Sequence, residues 1–461
     1  MSETEDDIAT REEDEYSLDP RLVEAILDAV EKGDAEAVDT LMEPLHAADI
    51  ADLLEQIGGS ERAALVKLWP RGFDGDILTE LDESIREEVI EALPHDVLSE
   101  AVRELDSDDV VDLIEDLEEP VQERILDALE DSDRAAVEQS LTYPEYSAGR
   151  LMQREVVTAP EHWTVGEAID YLRGAEELPD QFYHVILVDP RWHPTGYVTL
   201  GKLLSSKRNI ALKDITEDSF RPIDVLDEEG DVAYAFNQYH LISAPVVDEN
   251  DRLVGVITID DAMAVLDEEH EEDVLHLAGV RGETSVADGP VDTARQRLPW
   301  LVVNLFTASL SAIVISQFEA TITTLVALAA LMPIVASTGG IAGTQSLAVS
   351  VRALATRDLT RSNARRVVLR ELGAGMLNGI GLALILGIAG SLIFGQPLLG
   401  VVLGLAMVVN QIVAALAGVL VPLTLDKLGL DPALASGTFV TTMTDVMGFF
   451  AFLGLATVIL L

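Results

Sequence analysis

Phe439-Val440-Thr441-Thr442-Met443-Thr444-Asp445-Val446-Met447-Gly448 sets one carboxylate inside an apolar run that extends from about residue 434 to 461. That run is long enough to cross ~30 Å of hydrocarbon as a helix, which takes about 20 residues. Asp445 lies roughly 11 residues into it, so at ~1.5 Å per residue it sits ~16 Å deep. A carboxylate there costs at least ~2.5–3.5 kcal/mol unless it is paired or hydrated. No Lys or Arg in any apolar run is deep enough to pair with it. One reading is a protonated structural Asp bonded to a neighbouring helix. The other is an ion ligand facing water, and the hydroxyls of Thr441, Thr442 and Thr444 favour it. An oxygen-only set suits a hard cation such as Mg²⁺.

Working outward, four more apolar runs precede this one, at about 299–318, 322–345, 367–394 and 398–424. The loop between the second and third carries Arg352, Arg357, Arg361, Arg365, Arg366 and Arg370, and the loop before the last carries Lys427. Loops on the other side have no Lys or Arg, so the positive-inside rule predicts a cytoplasmic Arg loop and a C-terminus outside the cell membrane. In the second run Pro333 precedes Ser337-Thr338-Gly339-Gly340-Ile341-Ala342-Gly343-Thr344-Gln345-Ser346. Pro and three Gly predict a broken span lining a cavity. Close helix packing through small residues is the competing account.

Charge divides the chain. Residues 298–461 carry 6 acids and 7 bases, whereas residues 1–297 carry a formal net charge of −53. The first part belongs in water and the second in lipid. The acidic excess argues against nucleic acid as a partner and favours cations. With 6 Lys against 24 Arg, the acids also fit the solubilising surface of a protein from a high-salt cytoplasm, where net charge of this size is screened. There is no Cys, which excludes disulfides and thiolate chemistry. Met1 to Glu15 is acidic, with no basic or apolar leader segment, so no cleavable signal is expected and the soluble half is assigned to the cytoplasm.

The expected fold is multidomain: an all-α superhelical N domain, an α/β tandem pair, and an α-helical membrane domain of five spans. Residues 1–17 read as an acidic disordered tail. Residues 18–142 read as stacked helices, with Asp49-Ile50-Ala51-Asp52-Leu53-Leu54-Glu55 echoed by Asp109-Val110-Val111-Asp112-Leu113-Ile114-Glu115. Residues 143–206 and 207–266 each repeat strand, helix, strand, strand, as in His184-Val185-Ile186-Leu187-Val188 and Ala244-Pro245-Val246-Val247-Asp248. A connecting helix is placed at 267–297 and the membrane domain at 298–461.

The paired units resemble CBS domains. In that family a Gly-x-x-Thr-x-x-Asp phrase meets adenosine ribose; Gly255, Thr258 and Asp261 fit it, whereas the first copy has Gly196, Thr199 and Lys202. ATP is therefore a weak candidate ligand. Taken with Thr338-Gly339-Gly340, Gln345-Ser346, Arg352-Ala353-Leu354-Ala355-Thr356-Arg357-Asp358-Leu359, Asp431-Pro432-Ala433-Leu434 and Thr444-Asp445-Val446, nearly the whole chain resembles the MgtE family of magnesium channels. That resemblance implies a homodimer, a pore lined by the second and fifth spans with Asp445 as filter, and a plug helix closed by cytoplasmic Mg²⁺. It implies sensor ligands at Asp108, Asp112, Asp261, Glu269, Glu272 and Asp273. The chain departs from the pattern at Ile341, Thr344, Gly437-Thr438, His240 and Ala264. An ion-coupled transporter or exporter on the same fold is the alternative. An enzyme is not expected, because no nucleophile–base set, P-loop or metallohydrolase motif is present.

Overall fold

The computed structural model describes residues 18–115, 117–175, 178–179, 181–217, 220–280 and 289–461. The expected tail at 1–17 lies outside them. The chain forms two compact units, residues 1–269 and 270–461.

In the first unit, short helices run from Pro20–Lys32 to Asp131–Ser140. Several pack on the helix two places further along: Ala47–Gln56 on Gly75–Thr79, Gly59–Leu68 on Glu83–Ala92, and Ser107–Glu115 on Asp131–Ser140. Each helix alone has an apolar stripe too small to bury. Stacking joins the stripes into one core that includes Ile26, Leu53, Leu65, Ile77, Ile90, Leu98 and Leu113. Some of the acids are structural, since Asp19, Asp34, Asp74 and Asp82 cap the helices that follow them. Two buried arginines close the stack. Arg62 donates to the carbonyls of Leu54 and Ile57 (2.8 and 3.2 Å) and pairs with Glu88. Arg86 donates to Leu81 O (3.3 Å) and pairs with Asp112 at 3.2 Å.

Two three-stranded sheets follow, with orders β1-β2-β3 and β4-β5-β6, where β1 is Thr158–Pro160, β2 His184–Val188, β3 Pro194–Thr199, β4 Ile223–Asp224, β5 Ser243–Val247 and β6 Leu253–Thr258. In each, the first pair is parallel and the second antiparallel, with an irregularity at the same place, Leu187/Val188 and Val246/Val247. The repeats share a core through Ile186, Val188, Tyr197, Leu253 and Val256. Each also has a small core of its own, around Val165, Leu187 and Leu203 in the first and Val232, Phe236 and Ile257 in the second.

The expected boundary at 266/267 falls inside an unbroken helix, Ile259–Leu277, and that at 297/298 falls inside Pro290–Ser316. Among the described residues the connecting region holds the end of one helix and the start of the other. Among the described residues, five helices are long and apolar enough to cross a membrane: Thr293–Ser316, Ala327–Ala355, Ala364–Phe394, Pro397–Leu428 and Pro432–Leu460. The fourth is the most enclosed and packs against the second, third and fifth.

The expectation of a broken second span is overturned, because Ala327–Ala355 is one continuous helix through Pro333 and the Gly-rich phrase. Side chains brace it. Thr338 Oγ1 donates to Ile334 O at 2.6 Å. Asn410 Nδ2 and Gln411 Nε2 of the fourth span donate to Val335 O and Thr338 O at 2.8 and 3.2 Å. The glycines serve close packing: a Cβ on Gly343 would stand 2.6 Å from Val440 Cγ1 of the fifth span.

Candidate functional site

The fifth span begins at Asp431, whose carboxylate accepts from Ala433 N (2.8 Å) and Leu434 N (3.1 Å). Fourteen residues on, Asp445 is half-buried, and no base lies against it among the described residues. The hydroxyls of Thr441 and Thr442 each donate to their own helix, to Gly437 O and Thr438 O at 2.7 Å. Their protons are thereby occupied and their lone pairs remain to face a cation. Thr441 lies opposite Gly340 of the second span, while Thr444 is buried against Gly343. Of the three threonines singled out in the sequence, Thr444 therefore packs helix on helix. Sequence reading also passed over Glu371 in the third span, which accepts from Ser346 Oγ at 2.7 Å.

The soluble acids gather in separate places. In the first, Asp108 and Asp109 open the helix Ser107–Glu115 and Asp261 opens Ile259–Leu277, so carboxylates meet at two helix N-termini, where backbone N–H groups favour negative charge. Asp261 accepts from Thr258 N (3.2 Å) and Oγ1 (2.7 Å). Burial, reinforced by Asp261, holds Asp108 well above the usual carboxylate range. Burial, then Asp261 and Asp106, pushes Asp109 to about 7. Burial pushes Asp261 to about 6. The sequence reading named Asp108 and Asp261 and missed Asp106 and Asp109.

In the second, Glu229 is pushed to about 7 by burial and then by Glu268, Glu115, Glu269 and Asp112. Gly230 lets Glu269 come close, for a Cβ there would stand 2.5 Å from its Oε1. Glu269 and Asp112 were expected from the sequence, whereas Glu229 and Glu268 were not. Asp112 is not a free ligand, since it pairs with Arg86.

In the third, within the membrane unit, His276 is 8 % exposed and bonds through Nδ1 to Asp431 Oδ2 at 2.7 Å and through Nε2 to Glu272 Oε1 at 3.3 Å. Burial and then Asp431 raise Asp273, against the lowering effect of His270 and His276. Leu277 packs against the cluster of Leu347, Val351, Ala417, Ala433 and Val440, so the end of this helix rests on residues of the second, fourth and fifth spans.

Among the described residues no three His, Asp or Glu side chains already converge on one metal. Mg²⁺ does not need that, because it keeps several waters and is held by one or two carboxylates. The first place offers an all-oxygen donor set, its carboxyls raised by burial and then by neighbouring acids, and such a set fits the ion. The nucleotide signature fits its ligand less well. Asp261 is engaged by Thr258 and faces Asp108, and a Cβ on Gly255 would stand 2.7 Å from Gln153 O. In the first repeat Lys202 pairs with Glu217 at 3.3 Å. The cleft between the repeats, lined by Gln153, His184, Ser243 and Thr258, encloses ≈ 20 Å³, the room of about one water.

A profile described as a divalent cation transporter matches residues 332–455, one described as the MgtE intracellular N domain matches 45–146, and CBS domains match 148–208 and 213–268. The magnesium transporter MgtE of Thermus thermophilus is 32% identical over 449 residues, covering 96% of this chain and 99% of that protein. Its namesake from Enterococcus faecalis is 36% identical over 70% of this chain and 71% of that protein. A crystal structure of the cytosolic domain of the Mg²⁺ channel MgtE with ATP aligns with 53% of this chain and 99% of that one, at a TM-score of 0.49 and 29% identity. Five spans with a carboxylate inside the last, joined to stacked helices and a CBS pair, define a multi-pass membrane protein of the divalent cation transporter class. The chain belongs to the MgtE family.

Proposed function

We propose that this chain carries Mg²⁺ across the cell membrane, along a path lined by the second and fifth spans, with Asp445 meeting the ion. The observation that carries this reading is a carboxylate deep in the last span, without a base against it, beside threonines whose lone pairs are left free. Membership of a family of magnesium transporters supports Mg²⁺ as the cargo. The soluble half is cytoplasmic in this reading, the C-terminus is outside, and two copies form the pore. Mg²⁺ bridging Asp108, Asp109 and Asp261, and ions at the Glu229–Glu269 and Glu272–Asp273 groups, draw the soluble half together and close the path. Adenine nucleotide binds weakly or not at all. The test is Mg²⁺ flux into proteoliposomes. Asp445→Asn should nearly abolish uptake while the protein assembles normally. Wild-type uptake by that variant would sink the assignment.

A further inference from the structure

We propose that Asn410 is a positioning residue for ion selection, holding the second and fifth spans at a set separation beside Asp445. It lies in the middle of the fourth span with 0% exposure. Its Nδ2 donates to Val335 O of the second span at 2.8 Å, which orients the amide. Its Oδ1 has no hydrogen-bond partner among the described residues. Two glycines flank the amide from either side. A Cβ on Gly339 of the second span would stand 2.2 Å from Nδ2, and one on Gly448 of the fifth would stand 3.0 Å from both Nδ2 and Oδ1. Tethered to Val335 O, the planar amide thus acts as a spacer between the two helices that neither the short Ala nor the untethered Leu, tetrahedral at Cγ, reproduces. Gly448 lies three residues beyond Asp445, on a neighbouring part of the same helix face.

An unsatisfied buried acceptor costs about 1–3 kcal/mol, which an apolar side chain of the same shape would avoid. Stability alone therefore does not account for Asn at this position. Selection between hard cations turns on geometry of a few tenths of an ångström: Mg²⁺ demands a near-ideal octahedron at about 2.0–2.1 Å and keeps several of its waters, whereas Ca²⁺ takes six to eight oxygens at about 2.3–2.6 Å. A spacer that fixes two helices to a few tenths of an ångström acts on that scale. Gln411, the next residue of the fourth span, adds a second amide bond to the second span at Thr338 O.

This inference rests on the reading of Asp445 as the ion ligand, and the experiment separates the two. Mg²⁺ and Ca²⁺ uptake are measured on the full chain in proteoliposomes for wild type, Asn410→Ala, Asn410→Leu, Gly448→Ala, Asn410→Ala/Gly448→Ala and Asp445→Asn. Asn410→Ala and Asn410→Leu should each lower the ratio of Mg²⁺ to Ca²⁺ uptake roughly tenfold, about 1.4 kcal/mol of discrimination. Gly448→Ala should lower Mg²⁺ uptake by overfilling the crevice. The double variant, with amide removed and methyl added, should return to within about threefold of the wild-type ratio, as coupled neighbours do. If the Asn410 variants lose both fluxes equally and keep the ratio, Asn410 is structural only and the proposal fails. If they fail to assemble, the double variant still decides, since a selectivity no better than that of Gly448→Ala also overturns it. Should Asp445→Asn conduct normally, the ion-ligand reading itself is wrong. Should Asp445→Asn be silent while the Asn410 ratios stay unchanged, only the spacer role is wrong.

Discussion

His276 Nδ1 lies 2.7 Å from Asp431 Oδ2, and the same carboxylate caps the first turn of the last span through Ala433 N and Leu434 N. The end of the connecting helix is thus tied to the residue at which the span bearing Asp445 begins. His276→Leu should break the tie and leave the cap. Closing the path should then need several-fold more Mg²⁺, with flux at low Mg²⁺ unchanged. Flux titrated against Mg²⁺ at constant KCl checks this, and an unchanged midpoint would show that the pair plays no part in closure.

Neutralising Glu269, Glu272 and Asp273 together should leave the path open at Mg²⁺ levels that close the wild type. In molar salt the Debye length shrinks to ~3 Å, so only bridged contacts would remain effective. The control must avoid acids with structural work. Glu88 is unsuitable because it pairs with buried Arg62. Neutralising the exposed Glu24, Glu31 and Glu123 should change nothing. Identical behaviour of the two triple variants, in flux and protease protection, would mark all six as solubilising surface.

The Asp108–Asp109–Asp261 group predicts how Mg²⁺ and pH interact. Asp109 titrates near 7 and Asp261 near 6 when folded, against about 4 when unfolded. For a carboxyl raised by folding, the stability it contributes is fully present below the unfolded value and is lost as pH rises through the folded one. The penalty therefore builds between about pH 4 and pH 7, and a bound cation relieves it above that window. Mg²⁺ should protect the soluble half of the full chain from proteolysis more strongly at pH 8 than at pH 5. Asp109→Asn should shrink the difference. Equal protection at both pH values would place the ion elsewhere.

Calorimetry at high salt should show little or no ATP binding. Thr258 and Asp261 are already bonded to each other, and Lys202 stands where the first repeat would need an acid. Tight binding lost in Asp261→Ala would reverse this.

Much was legible because it depends on neighbours in the chain. The charge division at about residue 298, the lengths of five apolar runs and the twice-repeated strand–helix–strand–strand unit are local properties, and lipid, water and core each select for them directly. Asp445 stood out for the same reason, since depth in a span can be counted along the sequence.

Contacts across elements were not legible. Pro333 with three glycines predicts a break, yet the second span stays helical, and amides from Asn410 and Gln411, some 70 residues away in sequence, bond its carbonyls at Val335 and Thr338. Asp109 and Glu229 look like any other acid of a strongly acidic surface. They are set apart only when the fold buries them against Asp261 and Glu269. The sequence by itself determined which segments enter lipid, which stay in water, and where a carboxylate is out of place, because those are transfer energies summed along the chain. Only the tertiary structure decided which acids share a site and which side chain spaces the second span from the fifth, because burial and mutual repulsion act between groups that only folding brings together.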